Sequence, residues 1–128
     1  MRDFQYLRLF SDKSGGSHFA EVRADLAPAN FAPPAPPLLV SAPFESARFV
    51  FLAAPQGWSG AWHPAPCQLI ISFVSGEIEV EVTDGETRRF VAGDVLLMED
   101  TTGTGHATRN TGEVDVLMAV TQLPQLPG

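Results

Sequence analysis

Residues 77–83, Glu-Ile-Glu-Val-Glu-Val-Thr, alternate charge with branched apolar side chains and run straight into Asp84-Gly85. A period of two places Ile78, Val80 and Val82 on one face and the three glutamates on the other, the mark of a half-buried strand. Asp-Gly is a strong two-residue hairpin signal. Thr87-Arg88-Arg89-Phe90 returns as the partner strand, with arginines within reach of the glutamates across the hairpin. The rest of the chain speaks the same language. Gln5–Phe10 is rich in strand formers, and His18–Leu26 alternates with His18, Ala20, Val22, Ala24 and Leu26 on the apolar side. Residues 47–54, 69–74, 95–98, 106–109 and 114–121 are further short apolar or alternating runs bounded by turn residues. No segment sustains a helical period, so many short strands with regular turns predict an all-β sandwich or barrel.

Residues 27–43 hold six of the eleven prolines. Proline fixes φ and lacks the amide donor, which excludes a helix or a central strand and predicts an extended arm. The 26 residues before it are too few to form a domain of their own. The chain of 128 residues therefore reads as one domain, with N-terminal strands and arm over 1–46, a core over 47–123 and a tail over 124–128.

Charge removes several function classes. Fifteen acids against eight bases give a net charge of −7. Phosphate binding needs a basic surface, so nucleic acid is not an expected partner, and anionic membranes are equally disfavoured. The single cysteine, Cys67, cannot form an internal disulfide. The N-terminus lacks the basic start and apolar run of a signal peptide, and no apolar run reaches the ~18 residues of a membrane span. A cytoplasmic protein is the simplest expectation.

The stretch Gly57 to Asn110 resembles the two signature motifs of the cupin superfamily. Gly57, His63 and Gly76 match the first motif, while its second His position falls on Ala65 and its Glu position on Leu69. Gly103, His106 and Asn110 match the second, with Thr101 at the Pro position and a gap from Gly93 two residues longer than the pattern. The resemblance implies a jelly-roll barrel, cupin-like, usually dimeric. Its pocket often holds a divalent metal (Fe, Mn, Ni or Zn) on two or three His and a Glu. Only His63 and His106 carry over as ligands, and catalytic metals normally take about three protein ligands.

The residues suggest replacements. Strand parity would point Cys67 where His63 points, and His18 sits on an apolar face, so either is a candidate third ligand. The bland alternatives are a small buried hydrophobe for Cys67 and a buried neutral histidine for His18. Glu99 or Asp100, before a glycine-rich loop, could supply the missing carboxylate or a general base; a solvated turn is the competing reading. Trp62, Asn110 and, through a bulge at Pro64 and Pro66, Gln68 are candidate pocket residues. No nucleophile–base pair or phosphate loop is present. The expected function is binding of a small molecule in the barrel, through a metal on His63 and His106, with oxygenation, isomerisation or lyase chemistry unassigned. The alternative is a metal-free ligand-binding or purely structural homodimer.

Overall fold

The computed structural model describes residues 2–125; the last three residues of the expected tail, 126–128, lie outside the described residues. The chain forms eleven strands and, among the described residues, no helix. None is therefore long and apolar enough to cross a membrane. The strands are β1 (Arg2–Ser11), β2 (Ser17–Ala29), β3 (Leu38–Val40), β4 (Arg48–Ala54), β5 (Ser59–His63), β6 (Leu69–Ser75), β7 (Glu77–Glu81), β8 (Thr87–Val91), β9 (Val95–Glu99), β10 (His106–Arg109) and β11 (Val116–Gln122). They build two sheets. The larger has the order β3-β2-β1-β9-β6-β11-β4, the smaller β5-β10-β7-β8.

The apolar faces of the two sheets meet. Ile78 and Val80 of β7 and Phe90 of β8 are at most 2% exposed, and they pack with Leu9, Leu96, Met98 and Val116 of the larger sheet in one cluster. Phe73 of β6 stacks on Phe90 with ring centroids 5.0 Å apart, tying one sheet to the other. The alternation of 77–83 is therefore realised as read. The hairpin differs in detail: its loop spans Thr83–Gly85, with Val82 N donating to Glu86 O and Gly85 at φ +96. Three residues with a left-handed glycine replace the two-residue turn, a common alternative. Arg89 lies opposite Glu79 and 3.8 Å from Glu77, while Arg109 reaches Glu81 at 3.1 Å on the solvent side.

The proline-rich arm is more ordered than its composition suggests. Strand β2 runs on through Pro28, and β3 pairs with it at the sheet edge, Ala27↔Val40 to Ala29↔Leu38. An edge is the place in a sheet where proline is tolerated. At the opposite edge, β4 turns Phe49 and Phe51 outward, 56% and 73% exposed, in edge-to-face contact.

The parity expected for β2 holds over Ala20–Leu26, where Glu21, Arg23 and Asp25 are exposed and Ala20, Val22, Ala24 and Leu26 half-buried, but fails at the start of the strand. Leu9 pairs with Phe19, and Phe19 packs against the core with its ring 6.2 Å from Phe90. His18 takes the other face. One phenylalanine over the second sheet outweighs several small or branched residues on the opposite face, which stay only half-buried.

Candidate functional site

His106 opens β10 and lies directly opposite His63, the last residue of β5. Directly opposed residues of antiparallel strands share a face, and the two imidazole centroids are 4.9 Å apart. Both line a cavity of about 350 Å³ between the sheets. Its walls are mostly apolar: Val50 and Leu52 of β4, Leu69 and Ile71 of β6, Met118 and Val120 of β11, with Trp58 beside them. Thr108 and Gln122 add the other polar side chains.

Each ring has one nitrogen already engaged. His63 Nδ1 donates to Ala61 O at 2.7 Å, since a carbonyl only accepts. His106 Nδ1 lies 2.6 Å from Asp100 Oδ2. A carboxylate only accepts, so the ring donates from Nδ1. Asp100 is completely buried, and its second oxygen, Oδ1, has no partner. A buried carboxylate tied to one imidazole fixes that ring's tautomer and orientation. The Nε2 atoms are thus the free nitrogens of both rings.

The loop before His106 is shaped by close backbone approaches. Thr104 N donates to Gly15 O at 3.0 Å, Ser17 Oγ to Gly105 O at 2.6 Å, and Ser11 Oγ to Thr102 O at 2.8 Å. The turn between β1 and β2 therefore clamps the loop from one side. On the other, Gly105 lies against the backbone of His63 and Pro64 so tightly that a Cβ would collide with it, at φ +76. Only glycine fits such a position.

Several candidate residues lie elsewhere. His18 does not join the other histidines. Its Nε2 meets Asp12 at 2.6 Å and its Nδ1 meets Asp84 at 2.9 Å, so both nitrogens are used at the rim between the β1–β2 and β7–β8 turns. Cys67 does not point with His63, because β5 ends at His63 and Pro64 and Pro66 break the strand that parity assumed. Cys67 packs half-buried against the core and, with Gln68, lines a separate cavity. Trp62 is not part of the cavity wall, whereas Trp58, equally exposed, is. Asn110 is buried as a backbone clamp, donating to Ala54 O, Pro55 O and Val114 O and accepting from Gly112 N. Glu99 is paired with Arg8 at 2.7 Å. The carboxylate that reaches the site is its neighbour Asp100, just past the end of β9.

The metal implied by the motif resemblance does not fit these residues. Ala65 and Leu69 occupy the remaining ligand positions and are buried in the core, 3% and 7% exposed. Among the described residues no three His, Cys, Asp or Glu side chains converge as a metal-holding group. The ring spacing alone would admit a shared ion at bonds of ~2.1 Å; the donor count does not.

The His18 cluster makes one expectation about pH. Hydrogen bonds that His18 donates to Asp12 and then to Asp84 raise its pKa above the ordinary value. Asp12 is lowered, by His18 and then by the Gly16 and Ser14 amides, and Asp84 by the Glu86 amide and then His18. A raised histidine stabilises fully below its unfolded pKa of about 6.5 and loses that contribution as pH rises through its folded value. Lowered aspartates contribute above about 3.9 and lose it as pH falls through their folded values. The melting temperature of His18→Gln should therefore fall furthest below the parent near pH 5–6 and converge with it in alkaline buffer. A gap that is constant from acid to alkali would dismiss the ion pairs as contributors.

Residues 49–121 match the family model described as "Cupin domain". The structure is similar to an uncharacterized conserved protein with a double-stranded β-helix domain from Klebsiella pneumoniae, at 26% identity and TM-score 0.50, covering 62% of this chain and 69% of that one. It is also similar to the cupin domain of Cnp3 from Schizosaccharomyces pombe, at 16% identity and TM-score 0.52, over 94% and 88% of the two chains; this second likeness concerns the fold alone. No curated protein shows a significant match.

Proposed function

The chain belongs to the cupin family, its matched segment covering more than half of the sequence, and on that premise we propose that it binds a small, largely apolar molecule directly in the barrel, without a resident metal. The observation that carries this reading is the wall of the cavity. Leu69 stands where the motif has its carboxylate ligand, and it lines the same space as His63, His106, Ile71 and Val120. Volumes of roughly 300–1,000 Å³, mostly apolar with a few placed polar groups, are what small-molecule sites have. Two imidazoles then orient a ligand that the walls hold by burial, worth ~25 cal/mol per Å² of apolar surface.

A second copy of the chain is the proposed partner. Phe49 and Phe51 leave an apolar strip on the β4 edge, and an exposed edge strand is normally covered or blunted. Light scattering of the parent and of Phe51→Lys reads this part directly, with a dimer expected for the first and a monomer for the second. Monomeric parent protein would remove the partner.

Ligand binding is tested by melting curves of chelator-treated protein with small aromatic compounds and with Fe²⁺, Mn²⁺, Ni²⁺ or Zn²⁺. A ligand at 100 times its Kd adds about 2.7 kcal/mol, so aromatic compounds should raise the transition while the metals leave it in place. About one equivalent of metal retained per chain, and lost in His63→Ala, would overturn the metal-free reading.

A further inference from the structure

The polar end of the cavity also constrains what the ligand carries. Nδ1 of His63 is committed to the Ala61 carbonyl and Nδ1 of His106 to Asp100. What each ring offers the cavity is its Nε2, and the two rings are 4.9 Å apart. A neutral imidazole bonded in this way presents a bare acceptor at Nε2. Two such acceptors side by side need a ligand group that donates. If one Nε2 carries a proton, the pair becomes one donor and one acceptor. Both rings charged at this spacing is the least favourable state, since like charges so close repel strongly.

Head groups sort clearly against this arrangement. A carboxylate or phosphate only accepts, and satisfying it calls for donors on both rings. It would also bring negative charge towards Asp100, which is already buried with one oxygen unpartnered. A purely hydrocarbon ligand would bury both Nε2 atoms with nothing to meet them, which costs about 1–3 kcal/mol for each polar group left unsatisfied. A hydroxyl both donates and accepts. It can donate to one Nε2 and, where the other is protonated, accept from it.

Resting on the reading of the cavity as an apolar ligand site, we propose that its ligand is a neutral hydroxyl compound, a phenol or alcohol on an apolar body, held by His63 and His106 through its O–H. Trp58 and the Val50–Leu52 wall take the apolar body, and the two histidines take the hydroxyl. Asp100 is the positioning residue that keeps the His106 proton on Nδ1.

Three compounds with one apolar body and different heads separate the possibilities: 4-ethylphenol, ethylbenzene and 4-ethylbenzoate, titrated into chelator-treated protein and followed by tryptophan fluorescence and by histidine ring signals in NMR. The phenol should bind roughly fivefold to tenfold more tightly than ethylbenzene, the worth of one hydrogen bond, and the benzoate more weakly than either. In His63→Phe, at an exposed position where folding is not at stake, the phenol's advantage over ethylbenzene should shrink, because one of the two acceptors is gone and ethylbenzene no longer covers its Nε2 unmet. Long-range proton–nitrogen spectra of the parent should show Nδ1–H on both rings, and Asp100→Asn should disturb that pattern at His106 alone. Equal binding of phenol and ethylbenzene, or tightest binding of the benzoate, overturns the hydroxyl ligand but leaves the apolar site standing. Failure of all three to bind removes the site itself.

Discussion

Replacing His106 with alanine is expected to cost the fold about 3–5 kcal/mol, a large part of the roughly 5–15 kcal/mol that holds a domain together. The size follows from what is left behind. Asp100 is wholly buried, and its one partner is His106 Nδ1. Without the imidazole, a carboxylate stays in the interior with neither oxygen satisfied by a side chain. Removing one member of a buried pair is costly for this reason, whereas removing both can be nearly neutral. The joint variant Asp100→Leu with His106→Phe should therefore recover much of the loss, a coupling of up to about 3 kcal/mol. Urea midpoints at constant m-value give the comparison. A single variant that loses under ~1 kcal/mol, or a pair whose losses simply add, would show that the two residues do not depend on each other.

Gly105→Ala is expected to be nearly as damaging, at least about 3 kcal/mol, and to abolish ligand binding as well. Two effects combine. The backbone stands at φ +76, which disfavours any residue with a Cβ, and the new methyl would run into the carbonyl of His63 and the nitrogen of Pro64. Those atoms are main chain, with no soft end to move aside, so β5 must shift and carry His63 away from His106. Gly85→Ala supplies the control. It has φ +96 with nothing within 4 Å of the added methyl, so it bears the conformational cost alone, about 1–2 kcal/mol. Melting temperatures of the two variants separate strain from collision. Equal losses would mean that the approach of Gly105 to β5 is looser than its backbone contacts indicate.

The fold was legible where a simple period met a simple environment. Ile78, Val80 and Val82 alternate with glutamates and are buried as the alternation requires, because one face of the small sheet covers the core and the other faces water. Reading failed where the environment changed along a strand. Phe19 faces the core and His18 the rim because β2 is covered by the second sheet over only part of its length. Parity also failed across Pro64 and Pro66, which end β5 and detach Cys67 from the face of His63, and the bulge expected there does not bring Gln68 into the cavity. His63 and His106 were identifiable from motif spacing, and the register of β5 with β10 explains why they meet. The role of Asp100 was less visible. It precedes His106 by six residues, and no strand or helix period joins them; the bend at Gly103 and Gly105 brings them together. Trp58 differs from Trp62 only through the placement of a short edge strand that composition did not announce.

That edge strand has a consequence of its own. Of the two histidines, His106 rides on β10, held between β5 and β7, whereas His63 ends β5, which has a neighbour on one side only. An outermost strand of five residues releases its hydrogen bonds at a smaller free energy than the core strands do, since local opening need not disturb the rest. The two halves of the site therefore differ in permanence. One is a fixed jamb, anchored through Asp100 to the interior. The other is hung on the margin of the sheet, and its fraying would open a doorway to the cavity while the packed rings of Phe73 and Phe90 stay in place.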